Sequence, residues 1–257
     1  MATIAPPMPA IARDDRFFLI TAIVMAVVIV TAFSFNLAMG RSSFHVPWLI
    51  HAHAIVFMGW VAIYVTQVAL ATTGSVAIHR QLGWIAAVWV PMMVILGIAV
   101  TVAMVRHGHV PFFFEPAYFL VMNPLAILTF AGLTVAAIIH RRQTDWHRRL
   151  HFCAMSILLG PAFGRLLPGP LLIPVAGYAV FSATMIFPVA GIIADRRRSG
   201  HVHPAWWWGA GTMIALQAAT GIIPYTPIGS AFYSAVTAGS PGAAVAPFVY
   251  PPEPTIP

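Results

Sequence analysis

The sequence predicts an all-α integral membrane bundle of seven transmembrane helices, and three observations predict it. Of 257 residues, 60% are hydrophobic and 7% charged, against roughly 25% charged in a soluble domain. Seven apolar stretches reach the ~20 residues that a spanning helix needs. The arginines, finally, fall unevenly on the loops at the two ends of those stretches.

The first stretch, 17–39, follows Arg13, Asp14, Asp15 and Arg16; it is too long for a signal-peptide core and reads as a retained anchor. The second, 47–72, starts at Pro47, and the third, 80–105, contains Pro91. The fourth, 116–139, contains Pro124, the fifth, 146–167, Pro161, the sixth, 171–194, Pro174 and Pro188, and the seventh, 204–224, ends on Pro224. Each internal proline forfeits one helical hydrogen bond and permits a kink. The expected layout is an N-terminal arm at 1–16, a seven-helix domain at 17–224 and an outer tail at 225–257. A short interfacial helix is expected at 228–238; residues 239–257, rich in Gly, Ala and Pro with Glu253 as their one charge, are expected to be extended or disordered.

Orientation follows from the positive-inside rule. Arg13, Arg16, Arg80, Arg141, Arg142, Arg148, Arg149, Arg196, Arg197 and Arg198 lie on one side, against Arg41, Arg106 and Arg165 on the other. That places the N-terminus in the cytoplasm and the C-terminus outside, in a bacterial inner membrane. The arginines are spread along a membrane face, so the partner they imply is a lipid bilayer and no nucleic acid.

Composition excludes several functions. All 13 basic residues are arginine, which removes a retinal Schiff base, a P-loop lysine and a lysine nucleophile. Cys153 is the one cysteine, so no intrachain disulfide forms. Asp14, Asp15, Glu115, Asp145, Asp195 and Glu253 all fall at loops or membrane edges, which argues against proton-coupled transporters and intramembrane aspartyl proteases. A Gly-x-Ser-Gly turn of the rhomboid kind is absent.

The eleven histidines are the informative polar groups. His45, His107, His109, His201 and His203 lie in loops and suit a headgroup layer, as does His140 at a boundary. His51 and His53 sit one to two turns inside the second stretch, and two positions apart on a helix they diverge by about 200°. They cannot both face one small ligand. Further along, Trp60 and Gln67 are seven residues apart, and Gln67 needs a partner on another helix. On the inner side His79-Arg80-Gln81-Leu82 opens the third stretch and His147-Arg148-Arg149-Leu150 the fifth. This repeat sets two imidazoles and two guanidiniums at equal depth, with His151 one turn beyond, beside Cys153. Histidine there suits a metal or haem iron, and arginine suits propionate or phosphate. Arginine at a helix N-terminus opposes the macrodipole, so an anionic partner would compensate it. Positive-inside capping is the plainer reading of the same residues.

On His51-Ala52-His53, Trp60, Gln67, His79-Arg80-Gln81-Leu82-Gly83 and His147-Arg148-Arg149-Leu150, over about 45–165, the chain resembles a poorly characterised group of bacterial multi-pass membrane proteins. The group implies sites and no settled activity. A looser likeness in architecture runs to membrane cytochromes b, whose paired histidines hold haem near each face. It departs from them in that the candidate ligands here are shallow, and an outer haem would need Met122 or a loop histidine as second ligand.

The expected function is a haem b or transition-metal redox protein, with electron transfer to a quinone or a larger membrane complex. Its expected metal ligands are His51, His53, His79, His147 and His151, with Arg80, Arg148 and Arg149 binding the cofactor's anionic groups. The alternatives are a non-catalytic accessory subunit or assembly factor, and a metal-dependent membrane lipid enzyme. The last lacks the His-x-x-His-His boxes of di-iron enzymes. It also lacks the intramembrane Asp of the seven-span zinc hydrolases, whose His-x-x-x-His lies on the last span, while here that spacing falls at His147 and His151.

Overall fold

The computed structural model describes residues 13–252. The first twelve residues of the expected arm, the side chain of Arg13, and Glu253 with the rest of the chain end lie outside the described residues. Among those described, all regular structure is helical: α1 (Arg13–Ala38), α2 (Trp48–Thr72), α3 (Val76–Arg106), α4 (Pro116–Ile139), α5 (Thr144–Ile157), α6 (Gly160–Leu166), α7 (Ala176–Ser199), α8 (Pro204–Ile222) and α9 (Pro227–Thr237). Short 3-10 turns lie at Gly169–Leu172, Ile223–Tyr225 and Pro241–Ala244. Five helices, α1 to α4 and α7, are long and apolar enough to cross a membrane. By length and composition this is a multi-pass membrane protein.

The fifth stretch is not one helix. It stops at Ile157 and resumes at Gly160, because Pro161 has no N–H to give the Ile157 carbonyl and its ring crowds that oxygen. The chain crosses the break on tighter bonds, Leu158 N–H to the Met155 carbonyl (3.1 Å) and Leu159 N–H to that of Ser156 (3.2 Å). Pro91, Pro124 and Pro188 interrupt nothing and lie inside α3, α4 and α7. The sixth stretch begins later than expected, at Ala176, behind the 3-10 turn.

The short α5 is the buried axis of the bundle: from Arg149 to Ile157 every residue but His151 is buried. Phe152 packs on Phe17 and Phe18 of α1, 5.9 and 5.8 Å between ring centres, and on Trp206 of α8 at 5.1 Å. Gly209 admits Cys153, since a Cβ there would lie 2.4 Å from its Sγ. The lone cysteine is thus a packing residue in the core.

The C-terminal segment differs from the extended or disordered tail expected. α9 forms where the interfacial helix was expected, with the Thr226 hydroxyl accepting the Gly229 N–H at its start. The chain then folds back over the ends of α3 and α4. Arg106 donates to the Val236 carbonyl (2.6 Å), Ala117 N–H to that of Pro247 (2.9 Å), and the Tyr233 hydroxyl to that of Val245 (3.1 Å). Glycine makes the seal possible: a Cβ on Gly242 would stand 2.2 Å from the Val105 carbonyl oxygen.

Candidate functional site

His79 and His147 are the fourth residues of α3 and α5. Each bonds through Nδ1 to a carbonyl of the preceding helix, His79 to Gln67 (3.2 Å) and His147 to Ala137 (2.8 Å). A carbonyl only accepts, so Nδ1 carries the proton and Nε2 keeps its lone pair. The Ala137 carbonyl is among the last four of α4, which have no partner within the helix. The two bonds therefore clasp the α2–α3 and α4–α5 hairpins and orient both rings. The ring centres of His79 and His147 are 6.2 Å apart at 82°, and His147 and His151 are 4.8 Å apart at 85°. Three imidazoles from two helices form a row at one end of the bundle. Among the described residues no three His, Cys, Asp or Glu side chains converge closely enough to hold a metal ion.

The arginines of the repeat part ways. Arg80 is exposed. Arg149 is buried and grips Asp195 of α7 with two bonds, Nε to Oδ2 (3.0 Å) and Nη2 to Oδ1 (2.9 Å), and reaches Asp145 at 2.9 Å. Trp206 Nε1 (2.8 Å), Arg198 (2.9 Å) and the His203 backbone N–H (3.3 Å) also donate to Asp195. Arg148 pairs with Asp14, Asp15 and Asp145. Two of the three guanidiniums expected to meet propionate or phosphate, Arg148 and Arg149, are instead taken up by carboxylates that tie α1, α5, α7 and α8 together. Beside this network burial, and then the Arg149 guanidinium, push the His203 imidazole below its ordinary pKa.

At the other end of α2 the two histidines diverge. His51 bonds through Nε2 to the Phe44 carbonyl (3.2 Å) at the exposed loop. His53 turns inward and stacks on Phe57, 4.0 Å between ring centres. It heads a seam, His53, Phe57, Trp60, Tyr64 and Gln67, whose spacing of four and three keeps one helix face. From His53 to Gln67 the seam runs ~21 Å at 1.5 Å per residue. His53 Nδ1, Trp60 Nε1 and Gln67 Oε1 are buried without a hydrogen-bond partner among the described residues. Gln67 was expected to bond across helices; its carboxamide oxygen does not, though its backbone carbonyl receives His79.

Thr134 of α4 adds a fourth orphan. Of the five buried threonines among the described residues, Thr101, Thr184, Thr220 and Thr237 donate to carbonyls of their own helices, while the Thr134 hydroxyl has no partner there. It lies one turn from Phe130, which meets Trp60 edge-on at 5.2 Å. A glycine admits α3 to this helix: a Cβ on Gly59 would lie 2.5 Å from the Trp89 ring. Buried polar atoms are almost always satisfied by protein, water or ligand. The seam thus gathers four buried polar atoms that the described protein groups leave without a hydrogen bond. Its sequence signal was the repeat of seven that links His53 to Trp60 as well as Trp60 to Gln67.

No family model, curated protein or solved structure matches the chain. The fold and the site define its class, a helical multi-pass membrane protein with a row of imidazoles at one bundle end and a polar seam running from it.

Proposed function

We propose that the protein crosses a bacterial inner membrane seven times, N-terminus in the cytoplasm, and holds a haem b through His79 and His147 with His151 beside them, serving electron transfer. In this reading the α5–α6 pair makes the fifth crossing and the 19-residue α8 the seventh, and the ten-to-three arginine division supports the orientation.

One observation carries the haem reading. Both rings spend Nδ1 on a backbone carbonyl and keep the Nε2 lone pair, the outer-shell arrangement that fixes a metal-ligating histidine. Haem iron takes one or two axial side chains. A chelated transition metal wants three or four, and no such set converges among the described residues. The group when bound supplies one-electron chemistry. The chain's own residues orient the two imidazoles, and Arg80 is the motif guanidinium left to meet a propionate. A groove of about 560 Å³ between α4, α5 and α8, with His140 and Trp146 at its edge, suits a quinone reaching that end. His79→Ala and His147→Ala are expected to lose pigment while His53→Ala keeps it; retention in all three contradicts the assignment.

A second reading rests on the same two bonds. They clasp hairpins whether or not a ligand binds, which favours an accessory subunit of a larger membrane complex. Stoichiometric co-purification with such a complex, in unpigmented form, would select it.

A further inference from the structure

At the bundle end that carries α9, four of the six tyrosines converge on one cavity. Tyr118 comes from α4, Tyr178 from α7, Tyr225 from the 3-10 turn after α8 and Tyr250 from the C-terminal segment, with Phe114 and Glu115 completing the wall. The cavity measures about 50 Å³, space for roughly four water molecules. Tyr118 is its buried floor, while Tyr178 and Tyr225 are more than half exposed and form the rim.

The cage is held in shape from behind. The Tyr225 hydroxyl donates to Glu115 Oε2 (2.6 Å), Tyr225 stacks on Phe248 at 5.6 Å, and the Tyr250 hydroxyl reaches the Pro174 carbonyl (3.4 Å). Two glycines make room: a Cβ on Gly177 would lie 2.2 Å from the Tyr118 hydroxyl, and one on Gly221 would lie 3.2 Å from that of Tyr178. An aromatic belt would scatter tyrosines around the bundle rim; these gather on a carboxylate.

The charge is as specific as the shape. The other described carboxylates, Asp14, Asp15, Asp145 and Asp195, are held by arginines at the opposite end. Glu115 is paired with no arginine among the described residues, in a chain of net charge +7. Aromatic faces carry negative quadrupole density and attract cations, most of all quaternary ammonium groups. A hard metal ion would want six or more oxygens, and Glu115 is the one carboxylate in this wall. We propose that the Glu115 cage binds a small organic cation of the quaternary-ammonium class, either a free solute or the choline headgroup of a lipid.

The test uses the full chain in phosphatidylglycerol nanodiscs, titrated with choline and with its uncharged carbon isostere, dimethylbutanol, by calorimetry. Choline is expected to bind saturably, the isostere not to bind, and Glu115→Gln to weaken choline by about tenfold or more. Tyr178→Leu, on the exposed rim, is expected to weaken it as well and guards against a folding defect in the first variant. In phosphatidylcholine nanodiscs, loss of choline binding identifies the lipid headgroup as the source, and retained binding identifies a free solute. No choline binding in phosphatidylglycerol, equal binding of the isostere, or indifference to both substitutions overturns the proposal. Iron content and pigment play no part in the readout, so it stands apart from the haem reading.

Discussion

His79 and His147 stand in the same register of two different helices, and each donates its Nδ1–H to a carbonyl of the helix before it, which leaves two oriented imidazoles with ring centres 6.2 Å apart. The repeat that reads His-Arg-x-Leu in sequence is therefore a repeat of structure, a clasped hairpin occurring twice.

The clasp predicts a stability cost of its own. His147→Ala leaves the Ala137 carbonyl without its donor and is expected to destabilise the protein by about 1 kcal/mol. Thermal unfolding in detergent, with any pigment removed, separates this from a ligand effect. An unchanged Tm would show that the bond does nothing for the fold.

The Arg149–Asp195 pair is the costliest to break. Both side chains are almost fully buried, so Asp195→Asn or Arg149→Met is expected to cost about 1.5–3 kcal/mol by removing two charge-assisted bonds, Arg149 keeping Asp145 and Asp195 keeping Arg198. The double variant Arg149→Met with Asp195→Leu is expected to cost less than the sum of the two singles. A double-mutant cycle with no coupling would contradict the pairing.

How much of this was legible in the sequence depends on what each residue had to reveal. The apolar runs of α1 to α4 and α7 announce themselves because length and hydropathy are local. The break at Leu158 is hidden by a continuous apolar run, and only Pro161 hints at it. The Arg149–Asp195 pair spans 46 residues, and a buried bond at that separation leaves no local trace, so Arg149 read as a free anion binder. The α2 seam was half visible, because Trp60 and Tyr64 count as hydrophobic while their polar tips go uncounted. The tyrosine cage draws on four separate segments and had no sequence signature at all.

The seam predicts that its orphan atoms are satisfied by something other than protein. Thr134→Val, which keeps the shape, is expected to cost about 1–2 kcal/mol because it evicts a hydrogen-bonded water or ligand. If the hydroxyl stood in an empty apolar void, the same substitution would be neutral or stabilising, and chemical unfolding distinguishes the two.

Topology is open to direct measurement. Alkaline phosphatase fused after Pro257 is expected to be active and green fluorescent protein at the same place dark, as an outer C-terminus requires. The reverse pattern would invert the bundle or change the number of crossings.

The most direct test of the histidine site is the absorption spectrum of the purified full chain, taken with its iron content. A Soret band with stoichiometric iron, lost in His79→Ala and His147→Ala but kept in His53→Ala, is the predicted result. Colourless protein without iron, folded and stable, would contradict it.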